Sequence, residues 1–464
     1  MATTGETICA ISTPAGVGGI AVIRISGKDA LEIVSKVWKG KNLATVASHT
    51  AHLGRIAYPN GEVLDEVVAT VFRAPHSFTG EDVVELSCHG SVYIQQQLVL
   101  LLIDSGCRAA EGGEFTRRAF MNGLMDLSQA EAVADVIAAS SRASLRVAVN
   151  QMRGGFSRRL RGLREQLLEF VSLMELELDF SEEDVEFADR SRLEALAERI
   201  IREVGALADS FSAGNAIRNG VPVAIVGETN AGKSTLLNRL LHDDKALVSN
   251  IKGTTRDAIE DTCVLGGITF RFIDTAGIRH TSDTVEAMGI EKTYRKIEEA
   301  RIVVWMIDGE EGPAHVAPVA AEIVPSAMEK QLIAVINKID SLTEEEQSAM
   351  VEAVRQEAPR ATIIGISAKD DIGVDKLEQQ LAHSIAMPDS DPDAVVVTNA
   401  RHYQALLNAR SSLQRALEGL RNGLPGDLVS QDVRECIHHL GEITGEITTH
   451  EVLGSIFSRF CVGK

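Results

Sequence analysis

The stretch Val223 to Leu237, VAIVGETNAGKSTLL, constrains this chain more than any other. The short apolar run Val223-Ala224-Ile225-Val226 reads as a buried parallel strand, and Gly227 to Ser234 follows it at the spacing GxxxxGK[ST]. A strand that feeds a glycine-rich turn and then a helix predicts an α/β layer. Glycine lets the backbone turn tightly, so that successive N–H groups and the helix N-terminus converge on phosphate oxygens. Lys233 adds a point charge for β and γ phosphates, and the Ser234 hydroxyl is a hard oxygen ligand for Mg²⁺.

Three further segments follow in the order a guanine-nucleotide switch requires. Gly253-Thr254-Thr255-Arg256-Asp257 can supply a threonine hydroxyl to Mg²⁺ from a segment that a γ-phosphate orders. Asp274-Thr275-Ala276-Gly277 follows the apolar run Phe270 to Ile273; Asp274 would hold Mg²⁺ through water and the Gly277 N–H would meet the γ-phosphate. Asn337-Lys338-Ile339-Asp340 follows the run Leu332 to Ile336. The Asp340 carboxylate can accept from both N1–H and N2–H₂ of guanine, donors that adenine lacks, and a buried acceptor left unpaired is costly. Ser367-Ala368-Lys369 closes the base pocket through a backbone N–H. The expected ligand is GTP. Ile278 stands where Ras-like proteins carry the glutamine that orients water, so the polar residues Arg279, His280, Asp283 and Glu286 are the candidate replacements.

With 464 residues the chain has room for about three domains. Its net charge of −20 argues against nucleic-acid or acidic-membrane binding by overall field, so any RNA contact needs a local patch. Cys9, Cys88, Cys107, Cys263, Cys436 and Cys461 form no CxxC, which argues against a disulfide framework or zinc ribbon. No uncharged apolar run reaches the roughly 18 residues of a membrane span, and the amino terminus does not read as a targeting signal. A cytoplasmic protein with no membrane partner is expected.

Residues 1–118 alternate short apolar runs with turns such as Tyr58-Pro59-Asn60-Gly61 and read as α+β. Gly16-Val17-Gly18-Gly19 precedes a strand, so it is not a dinucleotide fingerprint. Arg24, inside the run Ile20 to Ile25, needs either a solvated face or an anionic partner. Beyond Asp126, Phe156, Leu160, Leu163, Leu167, Phe170 and Met174 recur in steps of four and three, one helical stripe. Its flank carries Arg153, Arg158, Arg159, Arg161 and Arg164, then an acidic run: a solvated face, or an RNA-contacting patch. Leu406, Leu413, Leu417 and Leu420 mark a further helix, and Val433, Ile437 and Leu440 another. The expected plan is multidomain: an α+β N-terminal domain at 1–118, an all-α helical domain built from 119–215 and 385–464, and an α/β P-loop GTPase domain at 216–384 inserted into it.

The asparagine-containing P-loop, Gly253-Thr254-Thr255-Arg256-Asp257, the helical flanks, Ser77-Phe78-Thr79-Gly80-Glu81-Asp82, Asp126-Leu127-Ser128-Gln129-Ala130-Glu131-Ala132 and the terminal Cys461-Val462-Gly463-Lys464 together resemble the tRNA-modification GTPase family MnmE, also called TrmE. The resemblance spans the whole chain. It implies a homodimer through N-terminal domains that bind a one-carbon tetrahydrofolate, and a complex with the FAD-dependent partner MnmG that modifies carbon 5 of wobble uridine in tRNA.

Residue by residue, it implies that Asn230, Ser249, Ile251 and Thr254 hold K⁺, and that Ser234 and Thr255 hold Mg²⁺. It extends the nucleotide contacts from Asn230, Ala231, Gly232, Lys233 and Ser234 to Thr235, Ser249, Asn250, Ile251, Lys252 and Gly253. Glu286 becomes the catalytic residue that positions water, and Cys461 a catalytic thiol. The folate positions are Arg24, Glu85 and Lys464, whereas Leu124 stands where the family carries a basic residue. A GTP-dependent ribosome assembly factor is the alternative, since it shares the P-loop and switch motifs; a membrane-remodelling GTPase has no basic amphipathic helix to support it.

Overall fold

The computed structural model describes residues 5–179, 190–242, 261–273, 297–384, 395–458, 460, 462 and 463, and the chain divides into two compact units. One comprises residues 1–134, 151–188 and 425–464, the other residues 135–150 and 189–424.

The first unit begins with alternating strands. They form a seven-stranded sheet in the order β3-β4-β5-β6-β2-β1-β7, comprising β1 (Ile8–Ile11), β2 (Ile20–Ser26), β3 (Trp38–Lys39), β4 (Thr50–Ala57), β5 (Val63–Phe72), β6 (Val83–His89) and β7 (Arg108–Ala109). All neighbours run antiparallel except β1 and β7. The Tyr58 to Gly61 turn closes β4 onto β5: the Gly61 N–H donates to Tyr58 O at 2.9 Å, with Gly61 at φ 87°. Period-two alternation sends Ala21, Ile23 and Ile25 of β2 into a core with α1 (Ala30–Val37) and α2 (Val92–Asp104), leaving Arg24 on the other face. Helix α3 (Glu114–Met121) follows the sheet, and α4 (Leu127–Ala138) and α5 (Arg142–Met152) come next. The stripe from Phe156 to Met174 is buried along α6 (Gly155–Asp179), which packs on α14 (Gly426–Thr444) through Val433, Ile437 and Leu440. Each such fully buried side chain contributes about 1.5–3 kcal/mol. After α15 (His450–Phe457) the tail returns to the first sheet's neighbourhood, where Val462 pairs with Gly112.

In the second unit α7 (Arg190–Asp209) packs on α13 (Ala400–Arg421), whose Leu406, Leu413, Leu417 and Leu420 are buried. A short helix α8 (Phe211–Asn219) leads into a six-stranded sheet ordered β13-β12-β11-β8-β10-β9. Its strands are β8 (Val221–Gly227), β9 (Asp261–Leu265), β10 (Ile268–Phe272), β11 (Ile302–Asp308), β12 (Gln331–Asn337) and β13 (Thr362–Gly365), parallel except for the β9–β10 hairpin. Parallel strands are covered on both faces and so read as continuous apolar runs; β11 is buried along its whole length. Helices α9 (Lys233–His242) and α12 (Val374–His383) line one face, α10 (Val316–Ile323) and α11 (Glu344–Glu357) the other. Residues 135–150, and so nearly all of α5, belong to this unit: Ala143 lies in its core, its N–H donates to Gly267 O at 3.1 Å, and Ser140 and Thr269 share a hydroxyl hydrogen bond at 3.0 Å. The fold is thus the expected combination of an α+β N-terminal domain, helical segments and a P-loop α/β domain. Among the described residues no helix is long and apolar enough to cross a membrane.

Candidate functional site

Strand β8 ends at Gly227 and α9 begins at Lys233, so the P-loop sits at the carboxyl edge of a central parallel strand, where α/β sheets bind ligands. The loop's backbone is one that few residues tolerate. Gly227 has φ 139° and a Cβ there would lie 2.2 Å from Met306 O; Gly232 has φ 94° and a Cβ would lie 2.1 Å from Asn337 Nδ2. Asn230 takes φ 67° and is exposed. The Lys233 ammonium donates to Gly227 O at 2.8 Å and also to Glu228 O, folding its charge over the loop that it serves. Ser234 and Thr235 occupy the first turn of α9, where Ser234 fits a Mg²⁺ ligand by its hard hydroxyl oxygen.

Strands β11 and β12 carry the base-side residues. Buried Asn337 donates from Nδ2 to Ala231 O at 2.9 Å and accepts from the Ala368 N–H at 3.0 Å, so it ties the P-loop to the Ser367-Ala368-Lys369 loop. Lys338, at φ 61°, pairs with Asp308 at 2.6 Å and Glu310 at 2.9 Å, and these hydrogen bonds raise its pKa. Asp340 is exposed, and a hydrogen bond from Ser367 holds its carboxyl below the usual range. The Ser367 hydroxyl also accepts from the Asp370 N–H at 3.2 Å, while Arg239 of α9 pairs with Asp371 and so ties that helix to the same base loop. An ionised, exposed acceptor at Asp340 is what a guanine edge requires. Asp340→Asn is therefore expected to weaken GTP binding and to admit xanthosine triphosphate, because the amide offers a donor where xanthine offers an acceptor. Competition between the two nucleotides measures it; unchanged GTP preference would place the base elsewhere.

The structure brings together Asn230 to Thr235, Asn337, Lys338, Asp340 and Ser367 to Lys369. Ser249, Asn250, Ile251, Lys252, Gly253, Thr254, Thr255, Asp274, Thr275, Ala276, Gly277 and Glu286 lie outside the described residues, as do Cys461 and Lys464. The anchors Asp308 and Glu310 were missed in the sequence; their signal is the acidic end of an all-apolar strand in a parallel sheet.

Of the two alternatives open to Arg24 in the first unit, an anionic partner is present: it meets Glu85, its register partner across β2 and β6, at 2.9 Å. Its guanidinium lies 5.0 Å from the Phe78 ring centroid and 5.7 Å from that of Phe115. The tail docks close by. Ser12 Oγ donates to Gly463 O at 3.1 Å, and a Cβ on Gly463 would lie 2.3 Å from Ile11 O, next to the β1 residue Ala10 that pairs with Arg24. Leu124 is partly exposed, 3.2 Å from where a Cβ on Gly80 would sit.

Comparison with known proteins agrees with this arrangement. The profile of the MnmE helical domain matches residues 127–461, and that of the GTP-binding protein TrmE N-terminus matches residues 7–124. The tRNA modification GTPase MnmE of Bacteroides fragilis is 53% identical over 464 residues, 99% of each chain. That of Parabacteroides distasonis is 54% identical over 467 residues, covering 99% of this chain and 100% of the relative. Resemblance over the whole chain, a P-loop locked to a guanine-type base loop, and a tail docked on the N-terminal sheet lead to one family: the chain belongs to the MnmE tRNA modification GTPases, enzymes that hydrolyse GTP.

Proposed function

We propose that this chain hydrolyses GTP during modification of carbon 5 of wobble uridine in tRNA, as a homodimer working with the FAD-dependent partner MnmG and a one-carbon tetrahydrofolate. The observation that carries the reading is the docking of Val462 and Gly463 beside the Arg24–Glu85 pair. A ribosome assembly factor has no use for it. The side chains at this place suit a folate: half-buried Phe78 offers apolar ring surface, Glu85 accepts from ring N–H groups, and Arg24, packed over the fully buried Phe115, carries positive charge for an anionic tail. When bound, the folate would supply the one-carbon unit; Arg24 and Glu85 would orient it, and the family resemblance implies that Lys464 and Cys461 would act there. The domain plan is 1–118, 119–215 with 385–464, and 216–384. Cys9, Cys88, Cys107, Cys263 and Cys436 are unbridged thiols, which supports a reducing, cytoplasmic setting.

Cys461→Ser is expected to keep GTP hydrolysis and dimer formation while abolishing modification with the flavin partner, since a thiolate beside an ammonium suits nucleophilic or proton-transfer work. Mass spectrometry of wobble nucleosides, run beside a phosphate-release assay, checks it. Modified uridine at wild-type levels would return Cys461 to a packing role.

At the nucleotide, Asn230 and the backbone oxygens of Ser249, Ile251 and Thr254 would hold K⁺, Ser234 and Thr255 would hold Mg²⁺, and Glu286 would position the attacking water in place of a glutamine. A monovalent cation there balances charge developing in phosphoryl transfer without an arginine from a partner. Turnover is expected to be at least about tenfold faster in K⁺ than in Na⁺ at matched ionic strength. Equal rates in the two buffers would remove the cation from the mechanism.

A further inference from the structure

We infer that the start of α6 is a contact surface for the phosphate backbone of tRNA, with Arg153, Arg158 and Arg161 as its contacting groups; this rests on the tRNA reading above. A chain of net charge −20 repels a polyanion at long range, so docking must use concentrated local charge. These three arginines are exposed, and among the described residues none of them meets a carboxylate. Elsewhere in the same unit Arg24, Arg108, Arg118, Arg164 and Arg434 all do.

Helix stability accounts for only part of the cluster: Arg153 follows the C-terminus of α5, where a cation is favoured, but Arg158 and Arg161 lie in the first turns of α6 and face the positive end of its dipole, which disfavours them. The local backbone nevertheless holds them together. Gly154, at φ 77°, turns the chain into α6, and the Arg158 guanidinium folds back to donate to Arg153 O at 2.9 Å. Phe156, Leu160 and Leu163 are buried, which leaves Arg158 and Arg161 as neighbours at i,i+3 spacing on the solvent face.

The same face distinguishes RNA from an acidic protein. Protein interfaces have an apolar centre, whereas here the exposed large apolar residues, Met152 and Leu168, lie only beyond the two ends of the segment from Arg153 to Glu165. Guanidinium groups instead match phosphate oxygens with paired N–H donors.

Fluorescence anisotropy of the full chain with unmodified tRNA, across about 50–200 mM salt, tests the surface. For Arg153→Gln/Arg158→Gln/Arg161→Gln, affinity is expected to fall at least about tenfold and the slope of log K against log salt to shrink by about 2–3, one contact per arginine. GTP turnover without tRNA stays at the wild-type rate, which confirms folding. The triple lysine variant keeps most of the salt slope. Wild-type affinity and slope in the glutamine variant would overturn the surface alone. Loss of the flavoprotein complex with tRNA binding intact would also overturn it, assigning the face to protein. Failure of the wild-type chain to bind tRNA would overturn the surface and the tRNA reading together.

Discussion

Asn337→Ala is expected to lower GTP affinity about a hundredfold while leaving the chain folded. The wild-type amide is buried and makes two hydrogen bonds that join separate loops, to Ala231 O at 2.9 Å and from the Ala368 N–H at 3.0 Å. Alanine leaves a carbonyl and an N–H without partners, at about 1–3 kcal/mol each. Because both groups sit in nucleotide loops, the cost falls on their preorganisation; about 2.7 kcal/mol of it corresponds to the hundredfold. Fluorescent-nucleotide titration measures the effect, and thermal melting reports how much is global. Asn337→Asp distinguishes the two bonds, since a carboxylate still accepts from Ala368 but faces the Ala231 carbonyl without a donor. An alanine variant that binds GTP as tightly as wild type would show that the loops are held by other ties, such as Arg239 to Asp371.

The second large effect belongs to Glu114, at the first position of α3. Its side chain is 1% exposed and is met by Arg108, by Arg118 at 3.0 Å and by the Glu111 N–H at 2.9 Å, with Arg117 at 3.8 Å. Glu114→Ala removes the buried anion that three guanidiniums share, although Arg108 keeps Glu6, Arg117 keeps Glu111 and Arg118 keeps Glu81, and the change is expected to cost about 3 kcal/mol. The damage reaches function through Arg118, which also holds Glu81 at 3.0 Å, the acceptor of Ser26 at the end of β2. Burial alone pushes the Glu114 carboxyl up, but hydrogen bonds from Arg108, Glu111 and Arg118 outweigh it and lower the pKa. A depressed folded pKa means that this stabilisation is full above the unfolded value of about 4.3 and is lost as pH falls through the folded value. Thermal melts between pH 7 and pH 3 should therefore lose a component in Glu114→Gln that the wild type shows. Identical acid profiles would mean that the carboxylate is not held by its arginines.

The sequence was most legible where one short-range rule governs. A glycine-rich loop between an apolar strand and a helix is local, and the stripes from Phe156 to Met174 and from Leu406 to Leu420 follow from helical period alone. Partners distant in sequence were not legible. Arg24 needed either a solvated face or an anion, and only the register of β2 with β6 decides for the anion and selects Glu85 from the available carboxylates. Asn337 entered the sequence reading only as a member of the guanine-nucleotide motif; that its amide bonds two protein loops depends on where β12 delivers it beside Ala231. Glu114 was not singled out in the sequence, although Arg117 and Arg118 stand three and four residues on, at pairing distance on a helix; its near-complete burial and the approach of Arg108 from β7 needed the fold.

The contact between the start of α5 and the β9–β10 hairpin bears on how the GTPase module could be handled in isolation. A segment excised at 216–384 would lose Ala143 and the flanking Val147 from its core, the Ala143 bond to Gly267, and the Asp135 partner of Arg218 at 2.7 Å. Cys263, Leu265 and Ile268 share that core, so truncation would bare apolar surface next to an edge strand, a recipe for self-association. The autonomous folding unit is discontinuous. A soluble minimal GTPase would need residues 135–150 as well, and because they already precede α8 in the chain, replacing residues 151–210 with a linker would supply them.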